Sequence, residues 1–435
     1  MRSRLISVGV VATSAVVACV YSPGATRTTD ANQIDVRVID ANFICVDAPS
    51  TSCSPDGTTL LTCSVVGMMA VPTTCTWGCL QTGAAHCGKL VPSGSAAGSG
   101  VLPSDVSGSG VMDIMMGSSS VITINGMDGG ISSGVRTTGT GVRNGIEFQI
   151  RGSIAMFRFN SLHITGPIKL TGSHPIALVA DQNITIDDQI DARGTCGDNA
   201  GQSPGPGGFA GANKNNSAGG SGGGSGATTN QFGGGGGGHA GKGGNGSHGP
   251  LGGAAFDPTF AILIGGGGGG GGGGNGGAGG GGGGAIQLVS NATIAIGSNG
   301  VINAGGCGGL GGNGGNNDGG GGGGAGGAIL LEALMVQIYG VLAGNGGGGG
   351  EQSAPSENGS AGRPDSTPAI GINNAGNGGA GTTIDGVSAG TDNGGGGGAV
   401  GYIRVNTKSG SATITGTLSP SLATTAATQG SAAVQ

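Results

Sequence analysis

Residues 176–186 read IALVADQNITI, and IDA (190–192) follows before the chain turns to glycine. Related sequences occur at 286–296 (IQLVSNATIAI) with INA (302–304), and more loosely at 329–343. We call these three stretches cassettes. Each places apolar residues at alternate positions, which is typical of strands with one buried face. A unit that recurs between long insertions indicates stacked coils that share one core. The cassettes therefore predict an all-β fold, a parallel β-helix-like solenoid.

Short apolar runs between residues 119 and 170 continue the same strand pattern. A β-sandwich is the alternative architecture, but it would usually offer hairpin turns flanked by matched strands. A solenoid tolerates insertions at one corner, because the next coil rebuilds the core. We therefore expect solenoid parts at 119–196 and 285–343, closing strands at 399–420 and a frayed tail at 421–435.

Glycine dominates the insertions, which span 197–284, 305–327 and 344–398. It accounts for 110 of 435 residues, whereas charged residues make up 9% and aromatic residues 3%. Ordinary proteins contain roughly 7% glycine. Other residues often interrupt the tracts at intervals of three, which is the period of a polyproline II helix. The tracts are therefore expected to be polyglycine II-like or disordered, since ordering glycine costs much entropy.

One such set of residues within the first insertion is polar. It consists of His239, Lys242, Asn245 and His248. We expect an exposed polar row along one extended segment. At about 3.1 Å per residue, the two imidazoles would lie roughly 28 Å apart, so they could not share a metal ion.

The N-terminus has the pattern of a targeting segment. Arg2 and Arg4 precede an apolar run that is too short to span a bilayer, and the run ends in VVAC at Cys19. This ending resembles a bacterial lipobox, which implies a lipoprotein signal peptide at 1–18 and a diacylglyceryl group on Cys19. An ordinary secretory signal is the alternative. Because Val20 is not Asp, the resemblance implies sorting to the outer membrane, with residues 19–44 as a tether.

Six cysteines are concentrated in residues 45–87. They are Cys45, Cys53, Cys63, Cys75, Cys79 and Cys87. An even set in a short exported segment predicts a disulfide module, whose 15 possible pairings the sequence leaves open. A zinc site at Cys75, Cys79 and His86 is the alternative. The Ser- and Gly-rich residues 88–118 that follow predict a flexible linker.

The two remaining cysteines occupy equivalent positions after two cassettes. Cys196 lies 20 residues after Ile176, and Cys307 lies 21 residues after Ile286. Cassettes stacked in register would bring the two thiols to strand-neighbour distance, about 4.8 Å. The spacing predicts a disulfide between Cys196 and Cys307, and two unrelated buried thiols are the alternative.

The sequence offers one acidic cluster, formed by Asp181, Asp187, Asp188 and Asp191. Paired carboxylates could act on a glycan as acid and base. However, Asp187 and Asp188 are adjacent and would face opposite sides of a strand, or would occupy a corner where Asp is favoured anyway. We therefore expect no catalytic residue, metal or cofactor.

Together, the lipobox, cysteine module and glycine-interrupted strands resemble glycine-rich surface lipoproteins of Gram-negative bacteria. The resemblance implies a non-enzymatic outer-surface lipoprotein, structural or adhesive, whose partners are the membrane and a surface glycan or protein. A β-helical polysaccharide lyase or hydrolase is the alternative, and an ice-binding protein is a further one. Nucleic acid is excluded as a partner because no basic patch with interleaved aromatic residues occurs.

Overall fold

The computed structural model describes residues 43–94, 100–197, 202–256, 262–313, 318–351 and 357–435. The chain divides into two units, the first ending at Gly88 and the second beginning at Lys89. The expected signal peptide, Cys19 and most of the tether lie outside the described residues. Within the described ranges, no helix is long and apolar enough to cross a membrane.

The first unit is a small antiparallel structure. Its strands are β1 (Ser50–Cys53), β2 (Thr59–Cys63), β3 (Val71–Thr74), β4 (Cys79–Leu80) and β5 (His86–Cys87). Strands β1, β2 and β3 form one sheet, and β4 pairs with β5. Only a few apolar residues, among them Leu61 and Trp77, are buried in it. Such a small core requires covalent support.

Three disulfides provide that support. They join Cys45 to Cys63, Cys53 to Cys79 and Cys75 to Cys87, which selects one of the fifteen possible pairings. Each closed loop typically stabilises a fold by about 2–4 kcal/mol. The zinc alternative is wrong, because the thiols of Cys75 and Cys79 are both consumed in disulfides.

The second unit is all-β apart from a 3₁₀ turn at Pro103–Asp105. Its large sheet contains β7 (Asp113–Met116), β9 (Gly141–Arg143), β10 (Ile146–Arg151), β11 (Ile154–Phe159), β12 (Ser161–Ile164), β14 (Ile176–Ala180), β15 (Ile184–Ile186), β17 (Ala285–Ile296), β19 (Ala328–Ile338), β21 (Tyr402–Thr407), β22 (Thr413–Ile414) and β24 (Ala427–Ser431). A second sheet contains β8 (Ile122–Asn125), β13 (Ile168–Thr171), β16 (Gln189–Asp191), β18 (Val301–Asn303), β20 (Val341–Ala343) and β23 (Thr417–Ser419). A short pair, β6 (Leu90–Val91) and β25 (Ala433–Val434), joins the two ends of the unit.

The cassette strands pair in parallel and in register. Ile176 lies beside Ile286, which lies beside Ile329 and then Ile403. All four side chains are buried, and burial of each contributes about 1.5–3 kcal/mol. The large sheet is nevertheless mixed, because β9, β10 and β11 are antiparallel to one another. The prediction of an all-β fold with a disulfide-rich N-terminal region is confirmed.

The segment expected to be a flexible linker differs in the structure. In its described residues, Leu90, Val101 and Val106 are buried, and Asp105 forms a salt bridge of 2.5 Å with Arg151. The side chains of β14 and of the first six residues of β17 and β19 are buried on both faces of the large sheet. At Gly108, a Cβ would lie closer than 3.0 Å to the guanidinium of Arg158, so glycine permits a close approach there.

The expected frayed tail is also structured. Strand β24 pairs in parallel with β21, and β25 pairs with β6. Without β24, the edge of β21 would present unpaired N–H and C=O groups. The tail therefore completes the hydrogen bonding of the last strand.

Three glycine-rich connections leave the second sheet and return to the large one. They run from β16 to β17, from β18 to β19 and from β20 to β21, and we call their described residues the glycine layer. Consecutive N–H groups in this layer donate to three different neighbouring segments in rotation. Gly322 donates to Gly270, Gly323 to Gly396 and Gly324 to Cys307, and then Ala325, Gly326 and Gly327 donate to Gly267, Ala399 and Ala304, all at 2.7–2.9 Å. The rotation has the three-residue period expected from the sequence.

Candidate functional site

The glycine layer exposes side chains mainly on its outermost segments. Lys242, Asn245 and His248 are exposed at intervals of three residues along one of them. The same segment contacts a neighbour, since Gly386 and Ala389 donate N–H hydrogen bonds to the carbonyls of Lys242 and Asn245. The sequence prediction of an exposed row is therefore met at three of its four positions.

His239 is the exception, and the prediction that it is exposed is wrong. Its side chain is 1% exposed, its ring stacks on Phe256 with centroids 4.7 Å apart, and it meets Tyr402 edge-on at 5.0 Å. Its Nδ1 lies 2.8 Å from the carbonyl oxygen of Gly326. A carbonyl can only accept, so Nδ1 carries the hydrogen. The prediction fails here because the rings of Phe256 and Tyr402 cover the imidazole.

The neighbouring outer segments repeat the spacing of three. Asp385 and Ser388 are exposed on one, and Asn374 and Asn377 on the next. Gly390 donates to the carbonyl of Asn374, which places these two segments side by side. We call the seven exposed residues of the three segments the outer rows.

The outer rows also complete the hydrogen bonding of the layer. Four of their side chains accept backbone N–H groups of the layer: Asp385 accepts from Lys242 (2.7 Å), Ser388 from Asn245 (3.0 Å), Asn245 from Gly252 (2.9 Å) and Asn377 from Gly371 (2.8 Å). An N–H group left without a partner costs free energy comparable to a lost hydrogen bond. Asp385, Ser388, Asn245 and Asn377 therefore occupy the outer rows for a structural reason. Lys242, His248 and Asn374 are the members of the outer rows without a bond of this kind among the described contacts.

Burial makes His239 a pH-sensitive residue. Desolvation lowers its pKa from the usual 6.5 to about 4, although the hydrogen bond to Gly326 acts in the opposite direction. The folded state therefore keeps the ring neutral at pH values where the unfolded state binds a proton.

We expect the second unit to lose stability as the pH falls from about 6.5 to about 4, because the unfolded state then binds more protons than the folded state. The loss attributable to His239 is about 3 kcal/mol. Urea unfolding at a series of pH values measures it, and His239→Gln should flatten the curve over this window. An equally steep curve for the variant would contradict this role.

The four acidic residues of the sequence cluster are held by different partners. Asp181 is buried and pairs with Arg158 at 2.7 and 3.0 Å, while Asp187 is exposed and accepts from His163 at 2.8 Å. Asp188 accepts from the backbone of Gln189 at 2.6 Å. Asp191 contacts Arg193 at 3.0 Å and Lys169 at 3.2 Å.

The ion pairs of Asp191 lower the pKa of its carboxyl group. Its burial would raise the pKa, but the hydrogen bond and charge of Arg193, together with the charge of Lys169, lower it below the usual value. The carboxylate therefore stays ionised within its ion pairs.

Sequence reasoning missed a buried carboxylate, Glu332. It is 1% exposed and accepts from the backbone and hydroxyl of Ser93, from Gln287 at 2.7 Å and from Asn406 at 3.0 Å. These donors hold the segment after β6 against the large sheet. The signal that could have identified it is a glutamate within the apolar run ILLEALMV (329–336), where a charged side chain needs buried partners.

Arg136 is a second buried group without a role in the sequence analysis. Its five N–H groups donate to the carbonyls of Ile146, Gly129, Thr137, Gly139 and Gly141, which uses its full capacity. It borders a depression of about 400 Å³ whose other walls include Thr123, Asp128 and Ser132. The guanidinium has no N–H left to bind an anion there.

Across the described ranges, no group of three or more His, Cys, Asp or Glu side chains could hold a metal ion. The chain matches no protein-family model, no curated protein and no solved structure. Function must therefore be argued from the geometry of this chain alone.

Proposed function

We propose that the chain is a non-enzymatic lipoprotein of the bacterial outer surface, held by an acylated Cys19 and acting as a structural or adhesive scaffold. The observation that carries the proposal is the glycine layer. It fixes rows of exposed polar side chains on a hydrogen-bonded body that is joined at both ends to a buried apolar core.

The architecture proposed for this scaffold has two parts. The parallel ladders through the cassettes are read as successive coils of a β-solenoid, and the glycine layer as a polyglycine II-like stack. The rotation of hydrogen-bond partners among three neighbours supports the second part, because it requires about three residues per turn. Stacked coils account for the parallel ladders, because each glycine-rich connection leads from one strand of the second sheet to the next parallel strand of the large sheet.

The outer rows suit an extended ligand with repeating polar groups. Side chains three residues apart along one segment repeat about every 9 Å. Lys242 adds a cation, and His248 presents a ring that stacks on Phe232 with centroids 5.0 Å apart. A surface glycan has hydroxyl and acidic groups that these side chains can bind. The separate partners of Asp181, Asp187, Asp188 and Asp191 favour structural roles for them over acid–base catalysis.

The anchor is tested by acylation of the chain in a Gram-negative host. Radiolabelled palmitate should enter the native chain, and Cys19→Ser should abolish labelling and release the protein from membranes. Val20→Asp serves as the sorting control, since it should keep labelling and move the protein to the inner membrane. Labelling that persists in Cys19→Ser would contradict the anchor.

Adhesion is tested by retention of neutral and acidic polysaccharides on the full chain. We expect retention without product release, and a roughly tenfold weaker affinity for Lys242→Glu than for the matched surface variant Lys214→Glu. Product release that disappears in Asp187→Asn or Asp188→Asn would instead establish the glycan-processing alternative. Equal retention by both lysine variants would remove the outer rows from the binding site.

A further inference from the structure

The first unit exposes an unusual number of large apolar side chains. Seven of them are each 57–62% exposed: Ile44, Val46, Val65, Val66, Met68, Met69 and Val71. Contiguous exposed apolar groups on a soluble domain mark interaction sites. We call this set the apolar turn surface.

The backbone places three of these residues on one face and a fourth close to them in the chain. Ile44 lies opposite Met69 in an antiparallel bridge, and the adjacent Cys45 and Met68 share a backbone hydrogen bond of 2.8 Å. Residues opposite one another in such a pair point to the same side, and alternate residues along each strand do so as well. Val71 therefore shares the face of Ile44 and Met69, whereas Val46 lies at the start of the bend that follows Cys45.

The remaining three side chains belong to the turn that joins the two sides. The N–H of Met68 donates to the carbonyl of Val65, and Gly67 takes a positive φ of 82°, a conformation that glycine adopts readily. The base of the turn is fixed, because Gly67 donates to the carbonyl of Cys45 and Cys45 is cross-linked to Cys63. The turn therefore displays its apolar side chains on a rigid support.

The surface has almost no charge. Residues 57–85 contain no Asp, Glu, Lys or Arg. The nearest charged group along the chain, Asp47, accepts a hydrogen bond from the backbone of Ala48. Burial of apolar area, and not attraction between charges, must therefore drive association here.

The position of this surface along the chain identifies the occupant. It begins at Ile44, which lies only 25 positions after Cys19. An acyl group on Cys19 would hold the unit within reach of the bilayer, since 25 extended residues span at most about 90 Å. We propose that the apolar turn surface inserts into the interfacial region of a lipid bilayer. This inference rests on the proposed lipid anchor and adds a second membrane contact to it.

The test uses the chain from residue 20 to 435, exported without the acylated cysteine, and vesicles of phosphatidylcholine with and without phosphatidylglycerol. Cosedimentation should detect binding that changes little with salt or with anionic lipid. Val66→Ser/Met68→Ser should weaken binding at least tenfold, whereas Met127→Ser/Leu251→Ser, at equally exposed positions of the second unit, should leave it unchanged.

A gain-of-signal variant guards against misfolding. Val66→Trp should show blue-shifted emission, and quenching by brominated lipid, when vesicles are added. The native Trp77 is buried and serves as the internal reference.

Absence of vesicle binding by the native sequence would overturn the proposal, as would equal binding by the two double variants. Self-association that Val66→Ser/Met68→Ser abolishes, without vesicle binding, would assign the surface to a second copy of the chain. A negative result in the vesicle experiments does not change the expected result of palmitate labelling. The failure of this inference can therefore be distinguished from the failure of the proposed anchor.

Discussion

Replacing Gly322 by alanine is expected to lower the free energy of unfolding of the second unit by roughly 3 kcal/mol or more. A Cβ at this position would lie closer than 3.0 Å to the backbone carbonyl oxygen of Gly235. That carbonyl belongs to a segment hydrogen-bonded on several sides, so it cannot move without breaking other bonds. Urea unfolding measures the loss of free energy, and calorimetry provides an independent value.

Two other glycines of the same layer provide matched controls. A Cβ on Gly219 would meet nothing within 4 Å, and one on Gly390 would lie 3.5 Å from the Cβ of Asn374, an ordinary contact. Gly219→Ala and Gly390→Ala should therefore change the unfolding free energy by less than about 1 kcal/mol. A similar loss in all three variants would mean that the close packing at Gly322 is not the cause.

Removing the disulfide between Cys196 and Cys307 is expected to cost about 4 kcal/mol. The bond joins residues 111 apart in sequence, and a cross-link of that length restricts the unfolded chain strongly. The variant is Cys196→Ser/Cys307→Ser, and urea unfolding again gives the loss. Hydrogen exchange should show faster opening of the glycine segments between the two positions.

A nearby hydrogen bond offers a way to distinguish the loss of the cross-link from a simple loss of packing around the two cysteines. The side chain of Gln202 donates to the carbonyl of Gly308 at 2.7 Å and should hold the same segments together after the disulfide is removed. Gln202→Ala should then cost more in the double serine variant than in the native chain. Free thiols at Cys196 and Cys307 in native protein, detected by alkylation, would contradict the starting point.

The positions of the cassette strands and their register could be predicted from the sequence. Alternating apolar residues in the cassettes predicted the buried faces. The similar spacings from Ile176 to Cys196 (20 residues) and from Ile286 to Cys307 (21 residues) predicted a pair that the structure joins. Both signals are local and periodic. They can be recognised in the sequence without knowledge of the rest of the fold.

Composition was a poor guide where packing between distant residues decides the structure. Ser93 lies in a segment that reads as flexible, yet it donates to Glu332 from 239 positions away. His239 shares the spacing of the exposed row, but Phe256 and Tyr402 cover it. No local pattern announces such contacts, because each depends on which segments the strands bring together.

The interleaving of the glycine layer dictates an order of events in folding. Gly396 donates to Gly234 and Ala399 to Gly237, so residues near the end of the chain sit between segments made much earlier. Contacts of such high sequence separation slow folding, because the intervening chain must be ordered before they form. The hydrogen bonding of the first insertion therefore cannot be complete before the last insertion is in place. We expect a chain shortened before residue 393 to show faster amide exchange at residues 233–247.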